Sequence, residues 1–158
     1  MNTYLEEARQ LPITNEADVI VVGGGPAGIG AALSSARLGM KTLLVEQAGD
    51  VGGVATTGLM SHWTGDTAGG LYEEILEQSL QEGQKDRHTI DPEHLKTTLM
   101  SMLLKEHVII RTYTFACRPI MEGNQVKGLI TESKSGREAL LAKVIIDCSG
   151  DGDIAAQA

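Results

Sequence analysis

Aromatic residues are scarce in this sequence: one Trp, one Phe and three Tyr among 158 residues. Nucleic-acid-binding folds of the OB and RRM type stack bases on aromatic side chains, so the shortage argues against that class. The formal net charge of −8 argues the same way, because an acidic protein without a run of Lys or Arg repels a phosphate backbone. We therefore expect no nucleic-acid partner.

Cysteines and long apolar runs are also few. Cys117 and Cys148 form no C-x-x-C motif, which fits a reduced, cytoplasmic setting with both thiols as small apolar fillers. No apolar segment is long enough to span a bilayer, and residues 1–16 lack the apolar centre of a signal peptide. We expect a cytoplasmic protein without a membrane partner, in which residues 1–16 form a leader with a short helix over residues 4–9.

The first well-patterned segment is a β-α-β unit. The β-branched run at residues 19–22 predicts a parallel strand buried on both faces. Residues 26–38 predict a helix with Pro26 in its first turn, where the missing N–H costs nothing. A second buried strand is predicted at residues 42–45, and the short connections favour a right-handed crossover.

The middle of the chain combines a long loop with two helices. Residues 47–68 are rich in Gly and Thr, and a loop of that length in a compact domain is usually functional. Helices are predicted at residues 71–81 and from an Asp91 N-cap to residue 106. We interpret residues 59–107 as the start of an inserted, mostly helical region. His88 and His94 flank Asp91, but because Asp91 is better used as a cap we expect no metal site.

The C-terminal third predicts β-structure. Turn residues separate a buried strand, three strands of an antiparallel meander and a strand returning to the parallel sheet, at residues 108–110, 113–121, 125–132, 138–142 and 144–146. A helix is expected near Ile154. The predicted fold class is α/β: a Rossmann-like domain over residues 17–158 with a central parallel sheet and a three-stranded antiparallel β-meander, its C-terminal part missing through truncation.

The loop after the first strand carries a G-x-G-x-x-G motif. Gly23 is expected to make the tight turn, Gly25 to let the backbone approach a pyrophosphate, and Gly28 to let the helix lie close to the strand. The helix N-terminus would then direct free N–H groups at the phosphates. A glycine-rich turn without a ligand is the alternative, and the flanking β-α-β unit argues against it.

Glu46 ends the second strand, where a carboxylate can accept both hydroxyls of an adenosine ribose and repel a 2′-phosphate. A solvated glutamate at a strand end is the alternative.

The glycine motif and Glu46 fit either NAD or FAD. Gly52 and Gly53, a second glycine pair in the following loop, favour the longer FAD, as does a meander where a simple Rossmann domain has a helix.

Three stretches, residues 17–47, 52–59 and 136–158, resemble the FAD-dependent oxidoreductases of the glutathione-reductase-like flavoprotein fold. The resemblance implies hydride transfer between FAD and a small-molecule substrate of unknown identity. We keep homo-oligomer formation open as a partner, since the sequence does not determine the oligomeric state. The resemblance also implies cofactor contacts from a set of residues along the chain, with Phe115 contacting adenine through its backbone. These are Val22, Gly23, Gly25, Pro26, Ala27, Gly28, Glu46, Gln47, Gly52, Gly53, Ala55, Thr56, Phe115, Ser149, Gly150 and Asp151.

Residues 54–59 depart from the disulfide reductases of that fold, which carry C-x-x-x-x-C at this place. A redox-active disulfide against the flavin is therefore excluded. His62 and Trp63 follow in a loop expected to run toward the flavin ring, although a packed loop explains them equally well. No catalytic acid or base is identifiable. An NAD-dependent dehydrogenase, a non-catalytic dinucleotide-binding fragment and a thiazole-synthase-like protein stay open as alternatives.

Overall fold

The computed structural model describes residues 2–65 and 67–158. Met1, in the predicted leader, and Asp66, in the predicted long loop, lie outside the described residues. The elements in chain order are β1 (Ile13–Val22), α1 (Pro26–Arg37), β2 (Thr42–Val45), α2 (Gly70–Ser79), α3 (Pro92–Lys105), β3 (Ile109–Arg111), β4 (Phe115–Glu122), β5 (Gln125–Ser133) and β6 (Gly136–Asp147). Single 3₁₀ turns lie at Gly53–Ala55 and Ala155–Gln157.

The strands join in one mixed sheet with the order β3-β2-β1-β6-β5-β4 within the described chain. Strands β3, β2, β1 and β6 pair in parallel, whereas β6, β5 and β4 pair antiparallel. The predicted α/β fold with a parallel centre and a three-stranded meander is therefore confirmed. Since β6 pairs with both β1 and β5, it joins the two halves of the sheet.

Two apolar clusters hold the sheet between its covering layers. On one face, Leu33 of α1 and Leu103 of α3 pack with Leu44 of β2, and all three are fully buried. On the other face, Leu43 of β2 packs with Leu140 of β6, together with further parallel-strand and meander residues. Each such side chain contributes about 1.5–3 kcal/mol on burial, so both faces of β1 and β2 are stabilised, as the apolar runs at residues 19–22 and 42–45 predict. The runs predicted as buried strands in β3 and at the end of β6 are only partly buried, and Val144 is 51% exposed.

The α3 helix begins as its sequence predicts. Asp91 accepts hydrogen bonds of 3.0 Å from the backbone N–H groups of Glu93 and His94, and Pro92 occupies the first turn. The bond from the His94 amide is the main cause that holds the pKa of Asp91 below its usual value. The carboxylate is thus used as a helix cap, and the residues that the structure describes contain no cluster of metal ligands.

Four features differ from the sequence-based expectations by more than the one- or two-residue shifts seen at other element ends. Residues 4–9 are not helical, β1 begins at Ile13 instead of residue 19, and the chain ends in a 3₁₀ turn instead of a helix. The third meander strand and the returning strand are one continuous β6. The exposed Lys143 interrupts the apolar pattern of the sequence at this point. Its ammonium group pairs with the Asp18 carboxylate at 2.6 Å, and the strand continues through it.

Each helix within residues 2–65 and 67–158 is too short or too polar to cross a membrane.

Candidate functional site

A crevice of about 440 Å³ opens at the carboxyl ends of the parallel strands, where α1 begins. In the sheet, β1 lies between β2 on one side and β6 on the other. Such a reversal of strand order at the carboxyl edge is where open α/β sheets bind ligands. The lining consists of Val22, Gly23, Gly25, Pro26, Ala27, Val45, Glu46, Gln47, Gly53, Val54, Thr114, Phe115, Ala116, Cys148, Ser149, Gly150 and Asp153.

The three glycines of the first motif face different neighbours. Gly23 has a φ of 92°, and a Cβ there would overlap the carbonyl group of Cys148. A Cβ at Gly28 would overlap the carbonyl oxygen of Gly23, so only glycine lets α1 approach the turn. The tight-turn and helix-packing roles expected for these two residues are confirmed. At Gly25 a Cβ would meet nothing within 4 Å, so this backbone faces open space in the crevice.

The second glycine loop lies directly against the first. The N–H of Gly52 donates to the carbonyl oxygen of Gly24 at 2.7 Å, and a Cβ at Gly53 would lie 2.9 Å from the Cα of Gly25. The buried Thr56 stabilises this second loop, because its hydroxyl donates to the carbonyl oxygen of Val51 at 2.7 Å. The two loops therefore form one continuous backbone surface at the start of α1.

Glu46 is buried, with 8% of its surface exposed, so it is not the solvated strand-end glutamate of the alternative interpretation. Its carboxylate accepts hydrogen bonds of 2.6 Å from the N–H groups of Gly24 and Ala48. Its own N–H donates to the carbonyl oxygen of Arg111 at 2.8 Å. The side chain is held in one orientation at the end of β2, and each carboxylate oxygen keeps a lone pair for a ligand.

A tight turn after β6 closes a further side of the crevice. The Asp147 carboxylate accepts from the N–H and hydroxyl of Ser149 and from the N–H groups of Ile154 and Ala155, at 2.6 to 3.0 Å. Burial raises the pKa of Asp147, but the hydrogen bonds outweigh it, so that the pKa lies below its ordinary value. This carboxylate folds the chain end over the glycine turn and brings Ser149 to the crevice.

The start of β4 forms the opposite wall. The N–H of Thr114 donates to the carbonyl oxygen of Glu46 at 3.0 Å, and Phe115 is 55% exposed beside it. Among the described lining residues none is Lys or Arg, and Glu46 and Asp153 are acidic. A negatively charged ligand at this site would therefore depend on backbone N–H groups and the N-terminus of α1.

Most residues that the sequence suggests for cofactor binding converge on this crevice. The exceptions lie behind or beside it: Gly28, Gly52, Ala55 and Thr56 support the lining, and exposed Asp151 is outside it. Ala55 and Thr56 are fully buried. Sequence reasoning missed six lining residues: Val45, Val54, Thr114, Ala116, Cys148 and Asp153. Each of these except Asp153 adjoins a suggested residue in the sequence, so neighbourhood could have indicated them.

His62 and Trp63 belong to a packed loop. His62 pairs with Thr89 in an isolated antiparallel bridge, and the Trp63 ring meets Tyr72 edge-on with centroids 6.0 Å apart. Trp63 also packs against the main core cluster. Of the two interpretations that the sequence leaves open for this loop, packing describes Trp63.

Fold and crevice together define a dinucleotide-binding α/β protein. The sequence profile described as "FAD dependent oxidoreductase" matches residues 18–158, and the chain belongs to this family. FAD is its cofactor, and the NAD-dependent alternative is not favoured.

Relatives differ in how much of the chain they match. The dihydrolipoyl dehydrogenase of Trypanosoma brucei brucei is 56% identical over 45 residues, which cover 28% of this chain and 9% of that protein. The digeranylgeranylglycerophospholipid reductase of Picrophilus torridus is 26% identical over 154 residues, covering 84% of this chain and 39% of that protein. This chain thus spans well under half of either relative.

Among solved structures, THI4 of Thermovibrio ammonificans superposes with a TM-score of 0.66 at 22% identity. The superposition covers 90% of this chain and 61% of that chain. At this level of identity the likeness shows a common fold.

Proposed function

We propose that this chain supplies the ADP-binding half of the FAD site in an oxidoreductase that exchanges two electrons with a small-molecule substrate. The observation that carries the proposal is the open backbone at Gly25, which lies between the second glycine loop and the buried Glu46 carboxylate. A diphosphate needs backbone without side chains, and its ribose needs a fixed acceptor. The open backbone of Gly25 and the acceptor oxygens of Glu46 lie next to each other in the crevice.

Each wall would hold a different part of the cofactor. The N–H groups at the start of α1 and the backbone of Gly25 and Gly53 would hold the pyrophosphate. Glu46 would accept the ribose hydroxyls, and the start of β4, at Phe115 and Ala116, would lie against adenine. When bound, FAD supplies the two-electron redox chemistry, and the protein supplies position and electrostatics.

The crevice lining that the structure describes contains no His, Lys or Tyr side chain that could serve as a general acid or base. Its described titratable residues are Glu46, Cys148 and Asp153. Burial, with a smaller effect from Asp147, raises the pKa of the Cys148 thiol above its ordinary value, which disfavours the thiolate. This favours a second candidate in which the chain binds the dinucleotide and the reacting groups lie elsewhere.

Isothermal titration of the 158-residue chain with ADP, FAD and 2′-phospho-ADP tests the proposal. ADP and FAD should bind one per chain and compete with each other. The 2′-phosphate should weaken binding at least tenfold, since it would face the buried Glu46 carboxylate. A chain that binds neither ADP nor FAD, or that accepts the 2′-phosphate equally well, contradicts the proposed site.

A further inference from the structure

The two long walls of the crevice belong to different halves of the sheet. Val45 and Glu46 end the parallel strand β2, whereas Phe115 and Ala116 begin β4, at the far edge of the meander. The walls meet where the N–H of Thr114 donates to the Glu46 carbonyl oxygen, and beyond that point the gap between them depends on how the meander docks onto the parallel strands. A contact that fixes this docking therefore controls the part of the crevice that would receive a base.

Arg111 and Glu138 form such a contact. Arg111 is the last residue of β3 in the parallel half, and Glu138 lies on β6 within the meander. Arg111 Nη1 lies 2.9 Å from Glu138 Oε1, and the second Glu138 oxygen accepts from the hydroxyl of Thr14. The Glu138 side chain is 9% exposed and that of Arg111 is 32% exposed, so the pair is largely shielded from solvent.

The backbone around Arg111 connects the pair to both walls. The Arg111 carbonyl oxygen accepts from the N–H of Glu46 at 2.8 Å, and the Glu46 carbonyl oxygen accepts from the N–H of Thr114 at 3.0 Å. Only Thr112 and Tyr113 separate Arg111 from Thr114. The residue that pairs with Glu138 through its side chain is thus also joined by its backbone to the ribose-facing wall, and it lies three residues before Thr114 in the base-facing wall.

The Glu138 carboxylate depends on its pairing with Arg111, because its surroundings are buried. Thr131, its partner across the antiparallel ladder, is fully buried, so the carboxylate lies away from bulk solvent. A buried carboxylate that loses its cation is strongly penalised, and apolar replacement of both partners is often tolerated by the fold. A single variant of Glu138 and an apolar double variant of both residues can therefore separate an effect on the crevice from an effect on the stability of the fold.

We propose that Arg111 and Glu138 are positioning residues that set the spacing between the Glu46 wall and the Phe115 wall, and thereby the preference of the site for a purine base. The inference rests on the proposed ADP site. Neither residue lines the crevice, so both act through the residues that do.

Competition titrations with ADP and UDP, which share ribose and diphosphate, test the pair on the full chain. The unchanged chain should prefer ADP. Glu138→Leu and the double variant Arg111→Met/Glu138→Leu should lower the ratio of ADP to UDP affinity about fivefold or more, since contacting residues typically couple on that scale. Glu138→Gln, which keeps the side-chain shape and one acceptor oxygen for Arg111, should keep most of the ratio.

Glu74→Leu is the matched control, because Glu74 pairs with Arg37 away from the crevice; its ADP to UDP ratio should equal that of the unchanged chain. The double variant keeps the test decisive if Glu138→Leu alone unfolds. An unchanged ratio in a folded Leu variant, an equal loss for both nucleotides, or no ADP preference in the unchanged chain overturns the positioning role. A chain that binds neither nucleotide contradicts the proposed function itself.

Discussion

The backbone N–H of Gly24 donates a 2.6 Å hydrogen bond to the carboxylate of Glu46. This bond joins the glycine turn after β1 to the acidic residue after β2, which are 22 positions apart in the sequence. The second carboxylate oxygen accepts from the N–H of Ala48 at 2.6 Å. Glu46 therefore organises both loops that border the crevice, in addition to its proposed contact with ribose.

Gly25→Val should abolish ADP and FAD binding while the fold persists. A Cβ at Gly25 meets nothing within 4 Å, so a side chain extends into the crevice without a clash in the protein. Gly30→Ala is the control, because a Cβ there is equally unhindered but lies within α1. The control should bind normally and gain about 0.5–1 kcal/mol of stability from helix propensity. Undiminished nucleotide binding by Gly25→Val, measured by calorimetry, contradicts the pyrophosphate assignment.

Glu46→Ala should weaken ADP binding by about 1–3 kcal/mol, the scale of leaving polar partners unsatisfied. Glu46→Gln provides the comparison, since it keeps the shape and one oxygen but loses the charge. Its affinity should lie between those of the parent chain and Glu46→Ala. Equal ADP affinity in all three proteins, each folded by circular dichroism, is the result that removes Glu46 from the ribose site.

Asp147→Asn should destabilise the chain in a pH-dependent way. The folded pKa of Asp147 lies below its ordinary value of 3.8, so its stabilisation is complete above the unfolded pKa and is lost as the pH falls through the folded pKa. The difference in Tm between the parent chain and Asp147→Asn should therefore be largest above about pH 5 and should shrink below pH 4. A constant difference across that range refutes this role of the carboxylate.

Arg37→Ala should lower the free energy of unfolding by about 1 kcal/mol, because partly exposed ion pairs are individually weak. Arg37 ends α1 and donates to Glu74 of α2 at 2.7 Å and to Glu106 after α3 at 3.0 Å. These bonds raise the pKa of Arg37 above its usual value, those to Glu74 most strongly. Urea unfolding measures the effect, with the exposed Arg118→Ala as control. Equal unfolding free energies for the two variants contradict a stabilising role for the hydrogen bonds by which Arg37 joins α1 to α2 and to the end of α3.

Local physics explains why the β-α-β unit was predictable. The run at residues 19–22 has the apolar continuity of a strand buried on both faces, and Pro26 suits the first turn of a helix. Gly23 and Gly28 follow from steric limits within the same few residues. The position of Glu46 follows in turn, because a parallel strand must end at the same edge as β1.

The turn after β6, at residues 148–153, does not follow from such short-range rules. The sequence suggests Asp151 for the crevice, yet Asp153 lines it, because four hydrogen bonds to Asp147 curl the intervening turn. A turn with several glycines allows many backbone paths, and only the long-range acceptor selects one.

The sequence by itself determined the glycine turn and the buried runs of β1 and β2, since these depend on short-range sterics and on apolar periodicity, whereas FAD was implied by the resemblance of whole stretches. Tertiary structure alone decided that β6 is continuous, that the meander closes the crevice, and that Arg111 meets Glu138. Arg111 and Glu138 are 27 positions apart on different strands. Contacts of this kind depend on strand register and on the docking of sheet halves, which arise from the packing of the whole chain.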